Sequence, residues 1–163
     1  MNARTHTWED PLELAAGMSG RTGLEFMQAL MAGELPPPPI LTLLDMEALE
    51  VERGRVVFAL TPAVWMYNPI GSVHGGVAAT ILDSCLGCAV QTTLPAGAGY
   101  TTSDLLVRYV RAMTAQTGRV LAEGAVVHAG RRQAVAEGRL YVESTGKLVA
   151  TATTGCAILP SPQ

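Results

Sequence analysis

One carboxylate stands alone in an otherwise uncharged stretch: Asp83, within residues 75–91. Around it Val77, Ala78, Ile81, Leu82, Cys85, Leu86, Ala89 and Val90 recur at i, i+3 and i+4 spacing. That period predicts a helix buried on most of its sides. Small residues fill the remaining face: Ala79, Thr80, Ser84 and Gly87. A charge buried there without partners would be very costly. Asp83 is therefore expected at a cleft, at a subunit boundary or against a hydrogen-bond donor. On residue type alone, a structural aspartate bonded to a strand hydroxyl and a functional carboxylate stand level.

The entry to the same helix is the second chemical feature, Asn68-Pro69-Ile70-Gly71-Ser72-Val73-His74-Gly75-Gly76. Paired glycines at a helix start cost stability, and close backbone approach by a ligand is one reason to keep them. The first N–H groups of a helix, with its dipole, suit an oxygen that gains negative charge. The plainer reading is a turn that needs glycine, with His74 orienting the loop.

Spacing sharpens the picture. Asp83 lies eight positions after Gly75, or about 12 Å along a helix. One carbonyl cannot touch both groups of one helix. If both act on a single bond, they come from two copies of the helix packed antiparallel, which predicts an obligate dimer with two composite sites.

Three cysteines are present, Cys85, Cys88 and Cys156. The odd count suits reduced thiols and a cytoplasmic setting. Cys85 and Cys88 form a C-x-x-C, but it falls late in the helix and lacks a second ligand pair, so no metal site is expected and two small buried residues are the favoured reading.

The elements that must position these groups follow from pattern. Residues 40–44, 50–52 and 55–60 are read as β-type material, the last two joined by a turn at Gly54 into a hairpin. After Pro95-Ala96-Gly97 the period changes to two, giving strands over 101–111, 119–128, 133–143 and 147–159. A hairpin, one long buried helix and a run of antiparallel strands make an α+β fold. Residues 1–37 are expected to be a helical appendage and linker, with Gly17, Gly20 and Gly23 interrupting the helices and Pro36 to Pro39 forming a stiff connector. The main domain is expected over 38–160.

Composition bounds the rest. The chain has 163 residues, 48% apolar and 15% charged, with a net charge of −3. So apolar a small domain is expected to bury surface between subunits. No basic face for nucleic acid is expected, nor a membrane span, nor a signal peptide.

At these residues the sequence resembles a known family. Asn-Pro-Ile-Gly-Ser-Val-His-Gly-Gly-Val-Ala-Ala-Thr-Ile-Leu-Asp at 68–83 is similar to the signature of phenylacetate-degradation-type hotdog thioesterases. Supporting stretches are Leu94-Pro95-Ala96-Gly97, residues 99–105, Gly130-Arg131-Arg132 and residues 146–150. The resemblance implies the hotdog fold, a long central helix wrapped by a curved antiparallel sheet. It implies a homodimer, often paired again into a homotetramer. It implies hydrolysis of an acyl-CoA thioester, aryl or medium-chain, to free acid and coenzyme A without metal or prosthetic group. Asp83 matches the catalytic carboxylate, as general base or nucleophile, and Gly75 the backbone donor to the thioester oxygen. Asn68 and His74 match residues that position the carbonyl, the water and the oxyanion loop. Thr102 falls where related enzymes use a serine near the attacking water. Arg131 and Arg132 fall where members often meet the phosphates of CoA. Trp65, Met66, Tyr67, Leu86 and Tyr100 are candidates for an acyl pocket, although core packing is the commoner role for each. Rival readings within the fold are an enoyl-CoA hydratase and a non-catalytic acyl-CoA-binding protein. The expected hydratase pattern of Asp and His is absent, and the acidic N-terminal segment offers no DNA-binding helices.

Overall fold

A computed structural model describes residues 1–159 of the chain. The expected domain end, Pro160, lies outside the described residues. The Gly54 turn and the β-branched residues on its C-terminal side give a hairpin, β1 (Glu47–Glu52) and β2 (Arg55–Leu60). The apolar stretch that follows forms one unbroken helix, α4 (Gly75–Gln91). Four longer strands complete the sheet: β3 (Gly99–Tyr109), β4 (Val120–Ala129), β5 (Gln133–Val142) and β6 (Leu148–Leu159). All neighbours are antiparallel, in the order β1-β2-β4-β5-β6-β3. The architecture is the hotdog fold, one curved sheet around one long helix.

The order of strands explains the position of the helix. Strand β2 lies near one edge of the sheet and β3 is the opposite edge, so the connecting α4 must cross the whole inner face. It meets β2, β3, β4, β5 and β6 on the way. Ile81, Leu82, Cys85, Leu86, Ala89 and Val90 are fully buried against that face. Each large side chain among them contributes about 1.5–3 kcal/mol of hydrophobic stabilisation. The face turned from the sheet stays partly open; it carries Gly76, Ala79, Thr80, Asp83, Ser84 and Cys88.

Three short helices precede the hairpin: α1 (Pro11–Ala16), α2 (Gly23–Met31) and α3 (Pro39–Leu44). The expectation of β-type material over residues 40–44 is incorrect, because these residues are helical in α3. A run of five residues, four of them apolar, does not separate helix from strand. Pro39 sits at N1, where its missing N–H costs nothing, and Asp45 ends the helix in the left-handed region at φ 50°. Only Pro36 to Pro38 act as the expected connector. Gly23 does not break a helix but opens one. Thr22 caps α2, and Glu25 completes a capping box by accepting from the Thr22 N–H at 2.8 Å. Helix α2 is seated on α4 and β1. The Gly23 N–H donates to the Leu94 carbonyl at 3.0 Å, and a Cβ on Gly23 would collide with the Gln91 carbonyl.

Among the described residues no helix is long and apolar enough to cross a membrane, and no group of three or more His, Cys, Asp or Glu is placed to hold a metal ion.

Candidate active site

The geometry begins with β3, which runs beside α4 from its C-terminal to its N-terminal end. The Thr102 hydroxyl donates to Asp83 Oδ1 at 3.0 Å. The carboxylate is half-buried, so it has a fixed donor on one side and an open approach on the other. Both readings of Asp83 from the sequence thus have a physical counterpart: a strand hydroxyl bonds it and a cleft face exposes it. At the far end of the helix, the Tyr109 hydroxyl donates to the Gly75 carbonyl at 3.1 Å.

A shift of register makes both contacts come from one strand. Thr102 pairs with Cys156 and Asp104 with Gly155, leaving Ser103 as an extra residue. Before this bulge Tyr100 and Thr102 face the helix; after it Leu105, Val107 and Tyr109 do. The bulge is held by side chains. Asp104 Oδ1 accepts the Gly155 N–H at 3.2 Å, Ser103 Oγ donates to the Gly155 carbonyl at 2.9 Å, and Thr154 Oγ1 donates to the Asp104 carbonyl at 2.6 Å.

Asn68 and His74 shape the loop that leads into α4. Asn68 Oδ1 accepts the N–H of Ile70 at 3.1 Å, and its Nδ2 donates to Ser72 Oγ at 3.2 Å. His74 is the N-cap: its Nδ1 accepts the Gly76 N–H at 2.9 Å. That bond satisfies Gly76 and leaves the first helical N–H, on Gly75, without an acceptor among the described residues. A shallow cavity of about 260 Å³ adjoins Gly75, bounded by Val73, Ala78, Tyr109 and Met113. Gly75 and Asp83 remain about 12 Å apart along the continuous α4. The structure brings Thr102 to Asp83, and Asn68 and His74 to the Gly75 end, and among the described residues no hydrogen bond joins the two groups.

Arg131 and Arg132 are exposed in the β4–β5 turn, and neither forms an ion pair among the described residues. The Arg132 carbonyl accepts the Ile158 N–H at 3.0 Å. Ile158 pairs with Tyr100, so this turn lies at the end of the sheet where β3 begins.

The candidate pocket residues separate. Met66 and Leu86 are buried in the core. The Arg4 guanidinium lies 3.8 Å above the ring of Trp65, and the Tyr67 hydroxyl accepts the Ala115 N–H at 2.8 Å. Tyr100 lines a cavity. That cavity, of about 520 Å³, is bounded by Met18, Phe26 and Met27 from the N-terminal segment, by Cys88 and Gln91 of α4, and by Tyr100 and Thr102 of β3. Met18, Phe26 and Met27 fall within the expected helical appendage, for which the sequence indicated no docking partner. Tyr109 gave no signal beyond its strand.

Burial disfavours the thiolate form of Cys85 and Cys88. Cys85 Sγ donates to the carbonyls of Val56 and Ala122, each at 3.2 Å, and burial raises its pKa. Burial, and secondarily the charge of Asp83, push the Cys88 thiol up to about 12. A redox or metal role for the C-x-x-C has no support in such an environment.

Comparison with known proteins agrees with the fold. The model of the thioesterase superfamily matches residues 70–149, a span that holds His74, Gly75, Asp83, Thr102, Arg131 and Arg132. A candidate esterase of Halobacterium salinarum is 42% identical over 69 residues, which cover 41% of this chain and 44% of that protein. The match therefore spans less than half of that relative's length. A candidate thioesterase from Ralstonia eutropha JMP134, related to phenylacetic acid degradation, is 29% identical and covers 80% of this chain and 97% of its own, with a TM-score of 0.73. The PaaI protein of the E. coli phenylacetic acid degradation operon shares the fold, with a TM-score of 0.72 at 19% identity over 91% of this chain and 97% of that one. Sequence pattern and architecture agree: the match to the thioesterase superfamily over residues 70–149 lies on a hotdog fold.

Proposed function

We propose that the protein is an acyl-CoA thioesterase that works as a homodimer, itself paired into a homotetramer, with residues 1–37 as an appendage to the catalytic domain. The observation that carries this reading is the half-buried Asp83, held by Thr102 at 3.0 Å on the open face of a helix whose first N–H is unused. In the reaction, Asp83 accepts a proton from water as the water oxygen attacks the thioester carbon. Alternatively the carboxylate attacks directly and water cleaves the resulting anhydride. The oxygen of the tetrahedral intermediate lies at the Gly75 N–H of the other subunit. Collapse expels the CoA thiolate, which takes up the proton. Asn68 and His74 hold the loop that presents Gly75; Arg131 and Arg132 meet the CoA phosphates. The chemistry needs no metal or prosthetic group.

Thiol release from a panel of aryl and fatty acyl-CoAs tests the activity. Asp83→Ala is expected to lower turnover by at least about 10²-fold with the fold intact, the scale of a lost general base. Wild-type rates in that variant would reject the role of Asp83. Absence of thiol release across the panel, with acyl-CoA still bound, would favour a non-catalytic acyl-CoA-binding protein.

A further inference from the structure

The cavity beside Thr102 has a wall that comes from outside the region matched by the thioesterase superfamily. Met18, Phe26 and Met27 close it on one side, and all three belong to the N-terminal segment. The opposite wall starts at Thr102, the residue bonded to Asp83, and continues through Tyr100, Cys88 and Gln91. From Asp83 to Gln91 is eight residues of α4, so the cavity runs about 12 Å along the helix away from the carboxylate. We propose that this cavity holds the acyl group, that the N-terminal segment is its distal wall, and that Met18, Phe26 and Met27 set the length of acyl chain accepted. The assignment rests on the thioesterase reading above.

Three observations support it. First, the segment is seated rather than draped. Gly23 packs so tightly on the Gln91 carbonyl that no side chain fits, and its N–H is bonded to Leu94. Phe26 and Met27 are buried. A wall fixed in this way can discriminate by length. Second, its lining is apolar and rich in methionine, whose flexible thioether fits aliphatic and aryl groups alike. Third, the floor carries two side chains with polar ends, the phenol of Tyr100 and the amide of Gln91. Tyr100 reaches this place because residue 87 is glycine: a Cβ there would collide with the phenol oxygen. The floor thus suits an acyl group of medium length, or an aryl group, with an oxygen substituent remote from the thioester.

The test is a chain-length profile of kcat/KM over straight-chain acyl-CoAs and over phenylacyl-CoAs with and without a ring hydroxyl. Met18, half-buried at the wall, is replaced in the full-length chain. Met18→Trp fills the cavity and is expected to lower the ratio of long-chain to short-chain kcat/KM about tenfold, the worth of a few contacts in an apolar pocket. Met18→Ala is expected to move the optimum to longer chains, and Met18→Leu to keep the wild-type profile. A uniform change across all chain lengths, or none, would overturn the assignment. If the wild type releases no thiol at all, the thioesterase reading fails separately. Calorimetric titration of the same acyl-CoAs then decides: a length-dependent loss of affinity in Met18→Trp supports the wall, and equal affinities overturn it.

Discussion

At the scale of single residues, the contact between Thr102 and Asp83 joins a strand to a helix through one hydrogen bond of 3.0 Å. A hydrogen bond to a charged group is worth about 1.5–3 kcal/mol. Thr102→Val keeps the shape and removes the donor, so kcat/KM for acyl-CoA is expected to fall about tenfold or more, while Thr102→Ser restores it. Equal steady-state rates in all three proteins would show that the hydroxyl has no part in turnover. Asp83 was legible as an anomaly because a lone charge in an apolar period is rare and costly. Thr102 was named only through the resemblance, as a hydroxyl near the attacking water; its bond to Asp83 was not legible, since 19 residues separate the two. Tyr109 and Met18 were not legible as neighbours of the site, because no local pattern encodes which helix a strand or appendage will cover.

At the scale of elements, the outer face of the sheet is tied by Glu123 of β4, which bonds Arg55 of β2 at 3.0 Å and Arg139 of β5 at 2.8 Å. Hydrogen bonding from Arg139, and then from Arg55, holds the Glu123 carboxyl below its ordinary range. A depressed native pKa means that stability is present above the unfolded value and is lost as pH falls through the native one. Glu123→Gln is therefore expected to flatten the acid limb of a plot of Tm against pH, with a lower Tm at neutral pH. A plot of unchanged slope would show the cluster to be too exposed to matter, as many surface pairs are. Periodicity made α4 and the four long strands legible almost to the residue. The run over residues 40–44 misled because so short and mostly apolar a stretch fits either element, and the decision lay in the proline at N1 and the left-handed Asp45. The capping box at Thr22 and Glu25 was a readable helix start that the glycine at position 23 obscured.

At the scale of the whole molecule, two unfinished surfaces lie side by side. Strand β3 is an edge of 11 residues, and the open face of α4 next to it carries small side chains. A long unpaired edge is a template for another strand, and small residues let two helices approach closely. Ala79→Arg puts a long charged side chain on that face. It is expected to yield monomers in sedimentation velocity and to cost at least about 10²-fold in turnover, comparable to losing an oxyanion donor. A fully active monomer would refute the composite site. The eight-residue spacing of Gly75 and Asp83, which makes two chains necessary only if both act on one bond, was legible in the sequence. The place of the N-terminal segment was not, because docking on α4 is a contact between distant parts of the chain.

The bulge at Ser103 gives β3 two halves in opposite phase, even-numbered residues facing the helix before it and odd-numbered residues after it. Substitutions in the half near Tyr100 reshape the cavity, and those in the half near Tyr109 bear on the entry to α4. One strand therefore carries two separately adjustable settings, and a lineage can retune the size of the cavity without disturbing the proposed backbone donor at the other end of the helix.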